Sequence, residues 1–429
     1  MATQMPPPAP PASAPPPAAP AGEGAFPFWR QNVRVLFVAN LAGNIGFTLY
    51  FPFLPLILGE LGVSEGVEAW TGYYTVVLYG ATLLLMPVWG GLADHFGKRS
   101  MVLRATIGQC IGFTALVFAP NLGALLLGAA WIGASNGFQA GSLALVATNT
   151  PAPSMGRALS TVQTGSLIGS SVGPVLGGVL AILLPRYRLL FAVGAVLSVF
   201  STSLVLFRTK EAYRRPQTPL RLHPLRDLRQ CLRVPGMWLL YYLLFLFSNT
   251  FFGSITIVSL YTLELLGGRE RYLGIGQDLW LSAVTVSLTL SSAAALPFWG
   301  RLLDRYEPRR VALSAMSLCL LAVLPYPFVH NPVQLVAVRL ALGALAVGLQ
   351  PALLRLIKEA APVGFEARAL AFGTSLYMLG HGVAPFLAGQ MAPSVGLRGY
   401  FVLHAALVAS GLVLWALLGV RQGVRRGET

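Results

Sequence analysis

Residues 87–99 read Pro87-Val88-Trp89-Gly90-Gly91-Leu92-Ala93-Asp94-His95-Phe96-Gly97-Lys98-Arg99. The stretch closes one long apolar run and opens the next, with an acid, two bases and three glycines packed between them. A looser copy lies 210 positions later: Pro297-Phe298-Trp299-Gly300-Arg301-Leu302-Leu303-Asp304-Arg305-Tyr306-Glu307-Pro308-Arg309-Arg310. Trp299 and Asp304 fall at the offsets of Trp89 and Asp94. Two such turns at a constant spacing, between apolar segments of membrane-spanning length, read as an internally duplicated membrane protein.

Composition points the same way. The 429 residues are 55% hydrophobic and only 10% charged, whereas a soluble domain carries about 25% charged residues. From Val33 onward apolar runs of about 20 residues recur, the length that crosses a hydrocarbon core of about 30 Å. The net charge of +15 would suggest nucleic acid in a soluble protein. Here the basic residues are read as topology signals, and no nucleic-acid partner is expected. Cys110, Cys231 and Cys319 make an odd number without metal spacing, so neither a disulfide framework nor a metal site is expected, and no cofactor.

The first 29 residues, almost all Pro, Ala, Gly and Ser up to residue 25, lack the apolar core of a signal peptide and read as a disordered tail. Twelve spans are expected, near 32–58, 72–93, 101–119, 122–147, 157–182 and 188–207, then 237–263, 277–303, 310–329, 332–357, 367–391 and 398–420. They form an N-terminal six-helix bundle over 30–207 and a C-terminal one over 237–420. A basic, proline-punctuated linker, 208–236, separates the bundles, and 421–429 is a tail. The fold class is therefore all-α and integral to the membrane.

With the N-terminus inside, 24 of the 30 Lys and Arg fall on one side of the bilayer. That bias places both termini and the linker in the cytoplasm, in a prokaryotic plasma (inner) membrane. The duplication extends beyond the turns. Gly137 to Ser160 aligns without gaps to Gly348 to Ala371, pairing Gln139 with Gln350 and Arg157 with Arg368. Two halves in the same orientation imply parallel repeats about an axis along the membrane normal, an architecture of transporters that bind substrate near the midplane.

The 90–99 segment resembles the loop 2–3 motif of the major facilitator superfamily, and Asp304, Arg305 and Arg309 lie in its second copy. Gly169-Ser-Ser-Val-Gly173-Pro174-Val-Leu-Gly177-Gly178 in span 5 resembles the superfamily's antiporter motif. Phe51-Pro52-Phe53-Leu54-Pro55 is similar to the double-proline ending of span 1 in its drug exporters. The resemblance covers about residues 30 to 420. It implies a monomeric secondary transporter working by alternating access, not an enzyme, exporting small amphiphilic molecules against inward proton flow. A sugar or lipid/lysolipid carrier, an uncoupled facilitator, and a sensor or enzyme on the same fold stay open. The resemblance further implies that Gly90, Asp94, Gly97, Lys98 and Arg99 latch the two halves when the carrier faces outward. Physically, Asp94 suits a neighbouring helix N-terminus, and glycines at 90, 91 and 97 allow a tight reversal and close approach.

By the same analogy, spans 1, 4, 7 and 10 line the cavity. Its polar candidates are Asn40, Asn44, Asn136, Gln139, Gln163, Asn249, Gln350 and Tyr377, each of which could equally be inter-helix glue. The candidates for charge and proton coupling are His381, Arg339, Glu264 and Asp278. His381 is the one non-arginine ionisable group near the middle of a span, and histidine titrates in the useful range. Arg339 either faces an interior cavity or snorkels to the outer interface. A pocket without a central acid favours neutral or anionic amphiphiles.

Overall fold

The computed structural model describes residues 27–151, 154–211, 229–251, 254–362 and 366–426; among these, the side chains at 87, 91, 94, 254–256, 367–368 and 418–426 are not described. The expected tail 1–29 thus lies almost wholly, and the linker 208–236 mostly, outside the described residues.

The chain is a bundle of helices joined by short turns. Span 1 runs from Trp29 to Glu60, span 2 from Val67 to Phe96 and span 3 from Lys98 to Val117. Span 4 is two helices, Leu122–Ser135 and Phe138–Asn149, followed by span 5, Met155–Leu183, and span 6, Leu189–Arg208. In the second half, span 7 is Met237–Phe251 with Ser254–Leu266, span 8 is Gln277–Arg305 and span 9 is Pro308–Phe328. Span 10 is Pro332–Ala346 with Leu349–Ala360. One continuous stretch, Glu366–Arg426, holds spans 11 and 12 on either side of Gly396, whose φ of 71° breaks the helix. Among the described residues, eight stretches are long and apolar enough to cross a membrane, the longest of them, Ala369–Leu417, covering two spans. Span 2 and the interrupted spans 4 and 7 bring the total to twelve.

Local chemistry explains the irregularities. At the end of span 1, Pro52 and Pro55 cannot donate backbone hydrogen bonds, so the helix tightens to a 3₁₀ turn over Phe51–Phe53 before resuming at Leu54. Between spans 2 and 3 a single residue, Gly97 (φ 90°, ψ 146°), makes the whole reversal, in a region where a side chain would be strained. The second copy has no such glycine. Tyr306 and Glu307 turn on ordinary backbone, and Pro308 starts span 9 at a helical position that has no use for an N–H. Loop 7–8 holds a feature absent from the expected plan, a ribbon pairing Arg271–Tyr272 with Ile275–Gly276. Its turn places Leu273 (φ 53°) and Gly274 (φ 78°) in the left-handed region. Trp280 Nε1 donates to Tyr272 O (3.0 Å) and ties the ribbon to span 8.

The apolar core divides by half. One cluster, from Cys231 to Trp415, is the interior of the second bundle; two others, around Tyr50, Phe53 and Phe113 and around Leu36, Phe138 and Val162, fill the first. The halves meet chiefly through span 2 on span 11 and span 5 on span 8.

Candidate functional site

The seams between the halves are closed in the part of the bundle away from the chain termini, here called the far end. A methyl group added at Gly72 of span 2 would stand 2.7 Å from Pro385 O; one at Gly382 of span 11 would stand 3.1 Å from Thr75 O. Gly389 seats against Glu68 and Ala69, and Tyr73 meets Phe386 with ring centroids 5.8 Å apart. On the other seam, a methyl group added at Gly178 of span 5 would run into Ser282 and stand 3.1 Å from Asp278 O of span 8. Backbones approach this closely only where side chains are missing. At the terminal end the picture reverses: an added methyl at Gly90, Gly156 or Gly300 meets nothing within 4 Å. The two halves are pressed together at the far end, while these three glycines at the terminal end have open space beside them.

Where the seams reach mid-bundle, His381 sits at the junction of both halves. Its Nδ1 is 2.8 Å from Ser248 Oγ and 3.1 Å from Tyr377 O, and its ring packs against Tyr377 and, across the seam, Tyr79 (centroids 5.0 and 5.2 Å). The Ser248 hydroxyl also donates to Tyr377 O. Tyr377 O can only accept, so its contact with Nδ1 is a hydrogen bond in the tautomer that carries the proton there. Gln350 is within hydrogen-bonding reach of Tyr377. Thus Gln350, Tyr377 and His381 come together, joined by Tyr79 and Ser248, which the residue pattern did not single out. Asn249, next to Ser248, is buried, and its Nδ2 has no partner among the described residues. Gln139 and Gln163 are exposed.

The remaining amides have other work. Asn40 is fully buried, its Nδ2 donating to Leu36 O (2.8 Å) and its Oδ1 facing Ser166 Oγ (3.3 Å) of span 5. Asn44 repeats the pattern with Asn40 O and Ser170. They stitch span 1 to span 5 rather than face the gap between the halves. The antiporter-like motif serves the same contact. Gly165, Gly169, Gly173 and Gly177 seat the carbonyls of Phe37, Leu41, Ile45 and Leu49, one per turn; an added methyl would stand 2.5 Å from Phe37 O and from Leu41 O, and 2.9 Å from Ile45 O. Approach this close permits Cα–H···O contacts along the seam. Gly178, one residue round the helix, faces span 8 instead.

The Trp-bearing motifs prove to be caps. Span 4 breaks at Asn136 and Gly137 (φ 126°), freeing the last carbonyls of its first helix. Thr82 Oγ1 donates to Gly133 O (3.1 Å), Trp89 Nε1 to Ala134 O (2.7 Å) and Arg104 Nη2 to Asn136 O (3.1 Å). The second half repeats the first two at an offset of 210: Ser292 to Gly343 O (3.3 Å) and Trp299 to Ala344 O (2.9 Å). Arg104 stacks 3.7 Å over the Trp89 ring. The repeated tryptophan was legible, but its partner was not, because the helix break carries no proline.

The side chain of Asp94 lies outside the described residues. The acid found at the N-terminus of span 3 is Glu211, at the start of the linker, which accepts from Lys98 N (2.8 Å) and Arg99 N (2.9 Å). Arg99 reaches Leu206 O (2.7 Å) and Thr209 Oγ1 (3.2 Å), while Asn32 and Lys210 exchange hydrogen bonds (2.7 and 3.1 Å). The loop is thereby clasped to the end of span 6 and the start of span 1. In the second copy Asp304 and Arg305 are exposed, Arg309 is half-buried, and Arg310 pairs with Glu307 (3.5 Å).

Arg339 neither lines the gap nor snorkels. It has no exposed surface, lies inside the second bundle with Nε 3.3 Å from Val284 O, and interacts with Tyr326. Glu264 is exposed. Asp278 stands at the far-end seam, where its Oδ1 accepts from Tyr187 Oη (3.2 Å).

The family model described as Major Facilitator Superfamily matches residues 36–286 and 270–428. The chain is 30% identical over 386 residues to the multidrug resistance protein MdtG of Citrobacter koseri, spanning 89% of this chain and 93% of that one. It is 29% identical to the protein of that name from Proteus mirabilis, over 90% and 95% of the two chains. Among solved structures, the occupied, inward-facing bacterial homolog of the human lysosomal transporter Spinster superposes with a TM-score of 0.75 at 14% identity, covering 92% of this chain and 98% of its own. The human organic anion transporter MFSD10 gives 0.67 at 18% identity, covering 90% and 99%. Two pseudo-symmetric six-helix bundles, the paired Trp-bearing turns and the family match together make this chain a member of the major facilitator superfamily, a multi-pass membrane protein whose relatives are transporters.

Proposed function

We propose that the protein is a secondary active exporter that moves small amphiphilic compounds out of the cell by alternating access, coupled to inward movement of protons. The observation that carries this reading is the pair of seams packed tightly at the far end, with open space beside the glycines at the terminal end, built on a twofold repeat. Such a body can rock between two states about a central site. The name multidrug resistance protein borne by the relatives gives the direction and substrate class. The distribution of Lys and Arg supports a cytoplasmic side for the termini, in a cell with an inner membrane; in this reading the arrangement described here faces inward.

In this reading the substrate lies between Gln139, Gln163, Gln350 and Tyr377, beside His381. The amides and aromatic rings, with no carboxylate among them, suit neutral or anionic amphiphiles. His381 carries the proton: its Nδ1 is held by Ser248 and Tyr377, and its Nε2 supplies the basic site. The Asp94 loop closes the inner end in the outward-facing state, with Gly90 providing room for approach. The protein acts as a monomer and binds no cofactor.

The test is transport in proteoliposomes with and without an imposed pH gradient, using a cationic dye, an anionic amphiphile and a sugar. Gradient-driven movement of an amphiphile supports the proposal. Movement of the sugar alone would assign a sugar carrier, movement indifferent to the gradient would remove proton coupling, and no movement of any probe would sink the reading.

A further inference from the structure

The proposed cycle requires something to hold the outer end shut while the inner end is open. Glycine contacts alone do not distinguish a bolted seam from one that merely fits. On the span 5–span 8 seam there is a polar crossing. Tyr187 lies in loop 5–6 of the first half, and its phenol donates to Asp278 Oδ1 of the second half at 3.2 Å. The phenol is carefully aimed. Glu60, at the end of span 1, accepts from the backbone N–H groups of Tyr187 (2.6 Å) and Arg188 (3.2 Å). Arg188 in turn reaches Ala119 O (2.8 Å) and lies 3.9 Å from Glu60. The Tyr187 ring stacks on Phe53, centroids 6.0 Å apart and nearly parallel at 13°. Burial and the Asp278 carboxylate push the phenol's pKa upward, so it stays protonated and able to donate.

The duplication shows that this crossing is one-sided. Asp278 corresponds to Glu68 at the offset of 210, and Gly178 to Gly389 at 211; each glycine seats against the backbone of the opposite acid or its neighbour. The counterpart of Tyr187 at 211 is Arg398. It does not reach across: its Nη2 contacts Val329 O (3.4 Å) within its own half. Among the described residues, one seam is closed by packing, the other by packing and a charge-assisted hydrogen bond.

We propose that Tyr187 and Asp278 form the bolt of the outer gate, made in the inward-facing state and broken in the outward-facing one, with Glu60 as the residue that positions the tyrosine. The proposal rests on the alternating-access reading. It gives Asp278, a candidate for proton coupling from its place in the sequence, a role in holding the gate.

The experiment uses the full chain in lipid nanodiscs, its three cysteines replaced, with spin labels at Ser64 and Arg269, exposed positions in loops 1–2 and 7–8. Pulsed dipolar spectroscopy then reads the ratio of long (outer end open) to short (closed) distances. Tyr187→Phe keeps the Phe53 stacking and removes only the hydroxyl; it is expected to raise the open-to-closed ratio about tenfold, as for loss of a hydrogen bond to a charged group. Asp278→Asn keeps an acceptor oxygen and should raise it about threefold, since neutral hydrogen bonds are roughly half as strong. Arg398→Gln should leave it unchanged. Two distance populations whose ratio ignores Tyr187→Phe would overturn the bolt while leaving alternating access standing. An equal response to Arg398→Gln would overturn its one-sidedness. A single short distance in every variant, with or without a pH gradient, would overturn both the bolt and the reading it rests on.

Discussion

Alanine at Gly169 and alanine at Gly90 should have opposite effects on stability, and the reason can be worked through atom by atom. Gly169 faces span 1, where an added methyl would stand 2.5 Å from Leu41 O, 2.9 Å from Asn44 Cβ and 3.2 Å from Ile45 N. Ordinary contact begins near 3.4 Å, so spans 1 and 5 must part by about 0.9 Å. Two of the three obstructing atoms are backbone and cannot rotate away. Such overpacking costs about 1–3 kcal/mol, and the retreat forfeits Cα–H···O contacts of about 0.5 kcal/mol each along the seam. Better helix propensity returns about 1 kcal/mol, leaving a net loss of about 1–2 kcal/mol. At Gly90 the methyl meets nothing within 4 Å, so only the propensity gain remains and stability should rise by up to about 1 kcal/mol. Thermal denaturation of the purified variants in detergent measures both. Gly169→Ala as stable as the parent, or Gly90→Ala less stable, would show that the packing described here is not what the seam depends on. If the inner ends close over Gly90 in the outward-facing state, Gly90→Ala should also slow transport despite its greater stability.

The tryptophan caps give a second contrast. Trp89→Phe and Trp299→Phe each leave a buried carbonyl without its donor, a loss of about 1–3 kcal/mol. Trp89→Phe also weakens the seat of Arg104 by about 0.5–1 kcal/mol, so it should be the costlier by thermal denaturation; an equal or reversed order would refute the capping account. Glu211→Ala should cost about 0.5–2 kcal/mol as the loss of a helix N-cap and speed hydrogen exchange at the amides of Lys98 and Arg99; unchanged exchange there would remove the clasp. His381→Ala should abolish the dependence of transport on pH, and transport that keeps its pH profile would exclude His381 as the proton carrier.

The fold was legible because it is written twice. Trp89 and Trp299, Asp94 and Asp304, and Gln139 and Gln350 recur at nearly constant spacing between runs long enough to cross a bilayer, and hydrophobic length alone fixes the element type there. Direction along the helix axis could be read; direction around it could not. Asn40 and Asn44 were visible as polar groups in span 1, yet whether they face span 5 or the gap depends on a helical phase that near-uniform hydrophobicity conceals. Arg339 likewise shows that a charge in a span need not face water. Contacts between distant segments were hidden for a different reason. Glu211 beside Lys98, and Tyr187 beside Asp278, meet across 113 and 91 residues, and neither pair carries a local pattern.

The clasp at residue 211 has a consequence for biosynthesis. Asn32 with Lys210, Gln31 with Arg208 (2.8 Å) and Glu211 with Lys98 join the start of span 1, the turn between spans 2 and 3 and the last residues of the first half. Once Glu211 has left the ribosome, that half holds both sides of this clasp, before span 7 has emerged. The second bundle then inserts beside a neighbour already shaped, and the seam glycines at 72 and 178 stand ready as a template for the helices that follow.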